Sequence, residues 1–506
     1  MNDAPKPDGP LLVDQLRFMA QQWPSEVAYI DLNAQQHITF GEWDARSNQL
    51  ARWLVDHGVE KQDRVALYMD SDHSLQWITA YAGIHKAGAV MVPVNTRLSV
   101  DEVLTILTHA EPRVIITNAR LVEHAQTVEA AIPIAATLTT DAWAELDQLD
   151  SSAMQVPVDA DDMADIMYTS GTTGLPKGVL VRHRNVAMMP NCTPHWSGTG
   201  WLHGAPLFTF AGMSFIYNPM KMGLAGLYMP KFDVEHWFDV VERDKPMMIF
   251  LVPAMAELIT ASPRFDTADL SSAMAVSIGS APLAPATLKK LQDKMPQAGV
   301  MNSYGLTEAG PAFITMPKGE EDKRIGSVGK PMPPMEIKVV DPDTDEAKPP
   351  TEVGELLVRL PGKRREYYKD NGATNAAWTE DGWLRTGDLA YLDADGFVYI
   401  SGRIKDMIIR GGNNIYATDV EAILLENDGV QEAAVVGIPH QVLGEDVGAF
   451  VVCKPGSTAD ADALLAFCDE RLADYKRPRQ IWFVEELPRN ATGKVMKHKL
   501  REQLAP

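Results

Sequence analysis

Residues 168–178 read YTSGTTGLPKG, a stretch with three glycines, four serine or threonine hydroxyls and one lysine. Residues 166–168, which end in the first residue of the stretch, read as the end of a strand, and residues 179–181 after it are apolar again. Successive backbone N–H groups in a glycine-rich turn converge and form an anion-binding nest. The stretch therefore predicts a loop that holds a polyphosphate at a strand exit, with a plain glycine-rich turn as the alternative. Its spacing is not that of the G-x-x-x-x-G-K-[ST] loop.

Strands and helices alternate on both sides of this loop. The predicted strands are 65–69, 89–94, 113–117, 204–208, 248–252, 275–278 and 299–303. The predicted helices are 74–86, 102–110, 234–244, 254–261 and 285–294. Strand, helix and strand at this spacing indicate parallel pairing through crossover helices.

The pattern changes after about residue 329, where proline and turn residues surround short alternating strands. A hairpin follows, with Asp395-Gly396 in its turn, and the last hundred or so residues read as a small α+β unit. We predict an α/β fold with a large N-terminal domain, 1–402, of mainly parallel sheets flanked by helices plus an antiparallel β subdomain at about 330–402. A small mobile α+β C-terminal domain, 403–506, would follow a joint at Arg403 to Lys405.

Composition excludes several kinds of partner. The 506 residues include 46 Lys and Arg against 68 Asp and Glu, a formal net charge of −22, which argues against nucleic acid and anionic membranes. The most apolar run, residues 247–259, is too short to span a bilayer, so we expect no integral membrane association. Three cysteines without zinc-ligand spacing, and a first segment without a signal pattern, predict a cytoplasmic protein. The sequence does not give the oligomeric state, for which a homodimer is the candidate.

Three further stretches follow the loop in order: NSYGLTEAG at 302–310, GWLRTGDLAYLDADGFVYISGRIKDMIIRGGNNIYATDVE at 382–421, and PRNATGKVMKHKL at 488–500. Together with the loop they resemble the motifs of the adenylate-forming superfamily, which includes acyl-CoA synthetases, luciferases and peptide-synthetase adenylation domains. The resemblance runs from about Leu12 to the end, and is closest in appearance to bacterial fatty-acid-type acyl-CoA ligases. It implies a carboxylic acid–CoA ligase that uses ATP, Mg²⁺ and CoA and passes through an acyl-adenylate, releasing pyrophosphate and then AMP.

The resemblance implies a role for each residue of the phosphate site. The β and γ phosphates would be held by Thr169, Ser170, Gly171, Thr172, Thr173, Gly174 and Lys177. Thr307 would contact the α-phosphate, and Glu308 would hold Mg²⁺, for which a carboxylate is a suitable hard ligand. Outside this motif, Glu308 would read as a solvated acid at a helix start.

The adenosine site is implied in the same way. Tyr304 would stack on adenine, within a segment that also supplies Asn302, Ser303 and Gly305. Gly279, Ser280 and Ala281 would line the other face and approach the acyl group. Asp388 would accept the ribose hydroxyls, and Arg403 would help bind ribose or phosphate. An ordinary surface ion pair is the alternative for these last two residues.

The C-terminal residues are assigned to different half-reactions. Lys494 would bridge the carboxylate and the α-phosphate during adenylation, where a compact cation brings two anions together. Lys405 matches the family hinge, about which the C-terminal domain would swing between half-reactions. Gly411 and Gly412 would face the pantetheine arm of CoA, with a simple turn as the alternative.

The acyl pocket is expected between residues 201–215, 252–255 and 279–282. Its candidate residues are Phe208, Thr209, Phe210, Gly212, Val252 and Gly279. Apolar and small residues favour a hydrophobic acid, fatty or cyclic, over an amino acid, whose ammonium would need a buried acid. Two departures from the family pattern occur: Thr209 stands where a histidine is usual, and YATDVE at 416–421 lacks the usual proline.

Two other functions remain open on sequence grounds. One is an amide ligase that shares adenylation but passes the acyl group to an amine or amino acid. The other is a nucleotide or acyl-adenylate sensor without turnover, against which the joint presence of Lys177, Glu308 and Lys494 speaks.

Overall fold

The chain is α/β in a computed structural model that describes residues 6–169, 176–187, 189–281, 283–310, 314–317, 319–360, 364–454, 456–457, 460–489 and 494–504. It separates into two compact units. The first comprises Met1–Gly279, Lys290–Phe313 and Leu360–Trp378, and the second comprises Ser280–Lys289, Ile314–Arg359 and Thr379–Pro506. These units divide the chain at other places than the predicted domains 1–402 and 403–506, and the boundary at Arg403 to Lys405 stays a prediction.

The described α-helices follow the predicted alternation. They are Leu12–Gln22, Phe40–Asp56, Ser74–Lys86, Val100–Ala110, Val122–Ala131, Phe210–Lys221, Val234–Asp244, Pro253–Ala261, Pro285–Lys294, Asn371–Ala377, Ala417–Leu425, Ala461–Asp469 and Lys497–Glu502. Hydrogen bonds of the N-cap side chains fix where several of these helices begin. Ser99, for example, accepts from the Glu102 backbone N–H at 3.4 Å, while the Glu102 carboxylate accepts from the Ser99 N–H at 2.8 Å. This reciprocal capping box fixes the start of Val100–Ala110.

One sheet of the first unit, sheet A, contains five described strands that follow the loop in sequence and two that precede it. Its spatial order is Gly299–Asn302, Ala275–Ile278, Met248–Leu251, Gly200–His203, Ala225–Tyr228, Val27–Asp31 and Gln36–Thr39. The last two strands pair antiparallel, and the other pairings are parallel. The predicted strand at 204–208 is wrong, because the strand ends at His203 opposite Tyr228. Pro206 also lacks an N–H for a further ladder bond.

The other sheet of the first unit, sheet B, carries the loop itself. Its order is Glu366–Tyr367, Lys177–Arg182, Met163–Thr169, Val90–Pro93, Arg64–Tyr68, Pro112–Thr117 and Ala136–Thr139. The strands from Met163–Thr169 to Ala136–Thr139 are parallel. Lys177–Arg182 pairs antiparallel on both sides. A core of buried side chains such as Tyr29, Leu50 and Leu67 joins the two sheets and their helices.

The sheets of the second unit are mainly antiparallel, and the antiparallel pairing predicted at about 330–402 is confirmed. One has the order Glu336–Val340, Gly354–Arg359, Leu384–Leu392 and Val398–Arg403. The other has the order Asn413–Ile415, Ile408–Arg410, Gly444–Cys453 and Val430–His440, and Gln480–Phe483 adds in parallel to Gly444–Cys453. A short pair, Ile314–Thr315 and Lys330–Pro331, completes the described strands of this unit. The predicted hairpin around Asp395-Gly396 is confirmed by the pairing of Leu384–Leu392 with Val398–Arg403.

Short 3₁₀ turns join several of these elements. They are Ser71–His73, Thr140–Gln148, His183–Asn185, Pro263–Asp266, Thr307–Ala309, Glu321–Lys323, Ile404–Asp406 and Asp474–Lys476. Within the part of the chain that the structure describes, no helix combines the length and the apolar character needed to cross a bilayer.

Candidate active site

The two ends of the predicted phosphate loop lie in paired strands of sheet B. Met163–Thr169 pairs antiparallel with Lys177–Arg182, and Thr169 stands opposite Lys177. The five candidates between them, Ser170, Gly171, Thr172, Thr173 and Gly174, lie outside the described residues. Lys177 is described, as the first residue of the strand Lys177–Arg182. Its Nζ lies 5.2 Å from the ring centroid of Tyr367. The strand pairing therefore places Thr169 and Lys177, the first and last candidates of the loop, opposite each other.

The loop meets the second motif at Glu308. Thr169 Oγ1 donates to Glu308 Oε1 at 3.3 Å, although the two residues are 139 positions apart. The Tyr367 hydroxyl donates to the same carboxylate oxygen at 3.5 Å. Glu308 lies in the 3₁₀ turn Thr307–Ala309, which follows a strand of sheet A. The structure thus brings Thr169 and Glu308 together, as the implied phosphate and metal roles require.

Arg365, which the sequence reasoning missed, holds the neighbouring backbone. Its side chain is buried, and Nη1 donates to the carbonyl of Thr307 at 2.7 Å. Nη2 donates to the carbonyl of Asn185 at 2.6 Å, and the guanidinium carbon lies 4.8 Å from the ring centroid of Phe210. Burial lowers the pKa of Arg365 to about 10, so the guanidinium stays charged at neutral pH. Tyr367 was missed as well, since no local pattern identifies either residue.

The segments of the expected acyl pocket include an apolar cluster beside sheet A, and the pocket itself stays a prediction. The Trp201 and Phe215 ring centroids are 5.2 Å apart, and those of Phe215 and Phe250 are 4.7 Å apart. Val252 packs against the same cluster. Phe208 and Phe210 are half-buried, in the segment that precedes and begins the helix Phe210–Lys221. The three rings of the cluster are buried and pack on one another, so they form an apolar wall beside the segments of the expected pocket.

Thr209 has a structural task at the position where the family usually has histidine. Its hydroxyl donates to the Pro206 carbonyl at 2.7 Å and accepts from the Gly212 N–H at 3.0 Å. This is the N-cap of the helix Phe210–Lys221. Gly212 must be glycine in this arrangement, because a Cβ there would lie 2.0 Å from the Pro206 carbonyl oxygen.

His203 does not replace the missing histidine. It is buried, its Nε2 is 2.8 Å from the Tyr29 hydroxyl, and its ring packs against Phe215 and Tyr228. Burial lowers the pKa of His203 to about 3, so the imidazole is neutral at physiological pH. It belongs to the core.

The carboxyl ends of the parallel strands in sheet A carry the adenine and acyl candidates. Gly279 follows Ala275–Ile278, and a Cβ there would lie 3.1 Å from the Ser303 carbonyl and 3.6 Å from the Phe250 ring. Ser303 shares a hydrogen bond of 2.9 Å with Ser277, which sequence reasoning also missed. Ligands of open α/β sheets bind at this edge.

The other members of these two segments can be placed individually. Asn302 ends its strand opposite Ile278, and half-buried Tyr304 follows two residues later. Gly305 is exposed. In the second unit, Ala281 is half-buried, while exposed Ser280 has φ of 75°. That left-handed conformation costs a non-glycine residue about 1–3 kcal/mol.

A small cavity lies under the helix Phe210–Lys221. Its volume is ≈ 10 Å³, and its polar lining includes Asp165, Tyr217 and Arg365. Among the described residues, the Tyr217 hydroxyl and the Arg365 Nε have no hydrogen-bond partner. This size suits about one water molecule, and is too small for an acyl group.

Asp388 and Arg403 are brought together in the second unit. They stand opposite each other in the hairpin, and Arg403 Nε donates to Asp388 Oδ1 at 2.6 Å. Asp388 is largely buried, and its N–H donates to the Thr386 hydroxyl at 3.0 Å. The pair presents a fixed carboxylate beside a cation, which is compatible with ribose hydroxyls and phosphate.

The joint and the C-terminal candidates are described within the same unit. Lys405 lies in the 3₁₀ turn Ile404–Asp406. Desolvation and then the positive charge of Arg403 lower the pKa of Lys405. Lys494 is exposed and precedes the helix Lys497–Glu502.

Gly411 and Gly412 form the turn between two short antiparallel strands, Ile408–Arg410 and Asn413–Ile415. Their φ angles are 57° and 84°, as in a two-residue type I′ hairpin. The turn therefore accounts for both glycines, and their role toward CoA stays a prediction.

The chemistry of Glu308 fits a magnesium ion. Mg²⁺ is usually bound by one or two carboxylates together with substrate phosphates and water. Among the described residues there is no cluster of three or more His, Cys, Asp or Glu side chains that could hold a metal. One carboxylate beside a phosphate loop is the donor set expected for Mg²⁺ carried with ATP.

Comparison with known proteins agrees with this geometry. The family described as "AMP-binding enzyme" matches residues 16–368, and "AMP-binding enzyme C-terminal domain" matches residues 419–494. A feruloyl-CoA synthase of Amycolatopsis is 36% identical over 474 residues, covering 92% of this chain and 94% of that protein. The long-chain-fatty-acid–CoA ligase FadD13 of Mycobacterium tuberculosis is 32% identical over 502 residues, covering 96% and 97%.

A solved structure gives the same result. The anthranilate CoA ligase AuaEII, in complex with anthranoyl-AMP, has a TM-score of 0.88 and 26% identity, covering 99% of this chain and 98% of that chain. The fold and the resemblance inferred from the four motifs are thereby confirmed. The chain belongs to the AMP-binding enzyme family. Within that family it is an AMP-forming acid–CoA ligase, which uses ATP, Mg²⁺ and CoA and proceeds through an acyl-adenylate.

Proposed function

We propose that the enzyme activates a hydrophobic carboxylic acid, with aromatic acids as the first candidates, at the carboxyl edge of sheet A. The observation that carries the site assignment is the contact between Thr169 and Glu308. It joins the end of the phosphate loop to the motif expected to hold Mg²⁺.

The aromatic cluster of Trp201, Phe215 and Phe250 supports the choice of acid. Aromatic rings stack edge-to-face or offset with other rings, which adds to the burial of apolar area. The relative named for feruloyl-CoA and the neighbour bound to anthranoyl-AMP support aryl acids. FadD13 keeps fatty acids in the test panel.

In the first half-reaction the acid carboxylate attacks the α-phosphorus of ATP, and the bond to pyrophosphate breaks. Thr169, Lys177 and the loop between them would hold the β and γ phosphates. Thr307 would contact the α-phosphate, and Lys494 would bridge it to the attacking carboxylate. Mg²⁺, held by Glu308, supplies charge neutralisation on the phosphates when bound.

The remaining candidates would bind the adenosine part of ATP and would admit CoA. Tyr304 would stack on adenine, and Asp388 with Arg403 would bind the ribose. The CoA thiol then attacks the acyl carbon, a C–S bond forms and AMP leaves. A rotation at Lys405 would exchange Lys494 for the turn at Gly411 and Gly412 between the two steps.

The decisive experiment follows ATP consumption with a panel of aryl and fatty acids, with and without CoA. We expect pyrophosphate release that depends on the acid, and AMP release that depends on CoA. Glu308→Gln should abolish both, whereas the exposed control Glu123→Gln should match the wild type. AMP release driven by amines instead of CoA would identify an amide ligase, and no release with any acid would identify a sensor.

A cytoplasmic location and a homodimer are part of this proposal as well. Cell fractionation tests the first, and the sedimentation velocity of the purified protein tests the second. Recovery in the membrane fraction, or a single monomer boundary at high concentration, would contradict the respective proposal.

A further inference from the structure

Arg365 and Tyr367 flank Glu366 at the edge of sheet B. Side chains two residues apart in an extended segment point to the same face. Both reach the same target: Arg365 donates to the Thr307 carbonyl at 2.7 Å, and Tyr367 donates to the Glu308 carboxylate at 3.5 Å. The segment 365–367 therefore holds the backbone of Thr307 and the side chain of Glu308, which are adjacent residues of the proposed metal motif.

Arg365 also ties this motif to two other segments. Its second amino group donates to the Asn185 carbonyl at 2.6 Å, 180 residues earlier in the chain. Its guanidinium packs on the ring of Phe210, at the start of the helix beside the expected acyl pocket. A planar guanidinium with several fixed donors can serve all three contacts at once, which a lysine ammonium on a flexible stem cannot.

The surroundings leave the guanidinium little freedom. Arg365 is only 2% exposed. Gly310 approaches so closely that a Cβ there would lie 3.1 Å from Arg365 Nε. A buried cation of this kind is costly to desolvate unless it makes specific contacts, and one of the two hydrogen bonds that Arg365 donates goes to the turn Thr307–Ala309.

We propose that Arg365 is a positioning residue of the adenylation half-reaction, which holds the Thr307–Glu308 backbone where Glu308 can bind Mg²⁺ with ATP. The inference rests on the proposed role of Glu308. Outer-shell partners of metal ligands act in this way, and their loss typically costs about 10–100-fold in metal affinity or activity. A purely structural arginine would change stability and leave the response to Mg²⁺ unaltered.

The test compares Arg365→Met and Arg365→Lys with the neighbouring control Arg364→Met, whose side chain is exposed. Two quantities are measured: the Mg²⁺ concentration for half-maximal pyrophosphate release, and the rise in melting temperature that ATP causes with and without Mg²⁺. For Arg365→Met we expect a half-maximal concentration about 10–100-fold higher and an ATP effect that no longer depends on Mg²⁺. Arg365→Lys should be intermediate, and Arg364→Met should match the wild type.

A folded Arg365→Met protein with the wild-type response to Mg²⁺ would overturn the proposal. If that variant unfolds, Arg365→Lys decides by the same two measurements. Failure of both variants to fold would assign Arg365 to the core and would also overturn it. The melting experiment needs only ATP and Mg²⁺, so it tests the inference even if the proposed acids are wrong.

Discussion

Gly279→Ala should change which acids the enzyme accepts. The new methyl would lie 3.1 Å from the Ser303 carbonyl oxygen and 3.6 Å from the Phe250 ring, so it would enter the space beside the aromatic cluster and displace the neighbouring backbone by a few tenths of an ångström. A change of one methylene in an apolar pocket alters discrimination by about 1–3 kcal/mol, or roughly 10–200-fold in kcat/KM. We expect that loss for the bulkiest accepted acids, and little change for small ones.

The assay measures kcat/KM for a series of aryl and fatty acids of increasing size, at saturating ATP. Gly372→Ala is a matched control, because a Cβ there meets only the Asp370 carboxylate at an ordinary 3.5 Å. The KM for ATP should stay unchanged in both variants. An acid profile identical to that of the wild type would refute the placement of the acyl group beside Gly279. A large rise in the KM for ATP would assign Gly279 to the nucleotide instead.

Three further predictions concern other regions of the chain. Lys494→Ala should slow adenylation by ~10²–10³-fold, as for removal of one oxyanion donor, while largely sparing thioester formation from supplied acyl-adenylate. Lys405→Pro fixes φ near −65° and should lower thioester formation by orders of magnitude while pyrophosphate release persists, whereas Lys405→Ala stays mild. His203→Gln should reduce sensitivity to acid, because His203 stays neutral in the fold down to about pH 3 whereas the unfolded chain binds that proton near pH 6.5. Stability therefore falls as the pH drops below about 6.5, and His203 alone costs about 2 kcal/mol at pH 5.

Each of these predictions has a contrary outcome. Equal damage to both half-reactions would remove Lys494 from its assigned step. Wild-type thioester formation by Lys405→Pro would show that the joint is elsewhere, and a melting curve separates this from unfolding. For the histidine, thermal melts at pH 7 and pH 5 are compared with the exposed control His195→Gln. The same loss of melting temperature in wild type and His203→Gln would contradict the burial argument.

Much of the fold was predictable because the hydrophobic periodicity of each segment agrees with the glycine and proline residues that bound it. Ser74–Lys86 was predicted to the residue, since an apolar helical run ends in Gly88. The prediction of a strand at 204–208 was wrong because apolar composition alone does not show where the pairing of two strands ends. Pairing with Ala225–Tyr228, a long-range property, stops the strand at His203.

Inside a dense motif the residue type indicates one chemistry, as for Glu308, whose contact with Thr169 the structure shows and whose role at Mg²⁺ stays a prediction. The site was not predictable where a side chain acts on a distant backbone. Arg365 contacts carbonyls 58 and 180 positions away, and a carbonyl has no sequence signature. Thr209 shows the opposite difficulty, since a departure from the family pattern turned out to be a helix cap whose geometry only the fold reveals.

A substitution in the type I′ turn at Gly411 and Gly412 can test the predicted role of this turn toward CoA while the hairpin stays folded. Left-handed φ angles are tolerated by asparagine far better than by most residues with a side chain. An asparagine at position 412, where an added Cβ would meet nothing within 4 Å, would keep the hairpin and yet project an amide from its tip. The same turn could carry a spectroscopic label or a crosslinker on a rigid base. The hairpin is thus an attachment point for reporters that test the predicted approach of CoA to this turn.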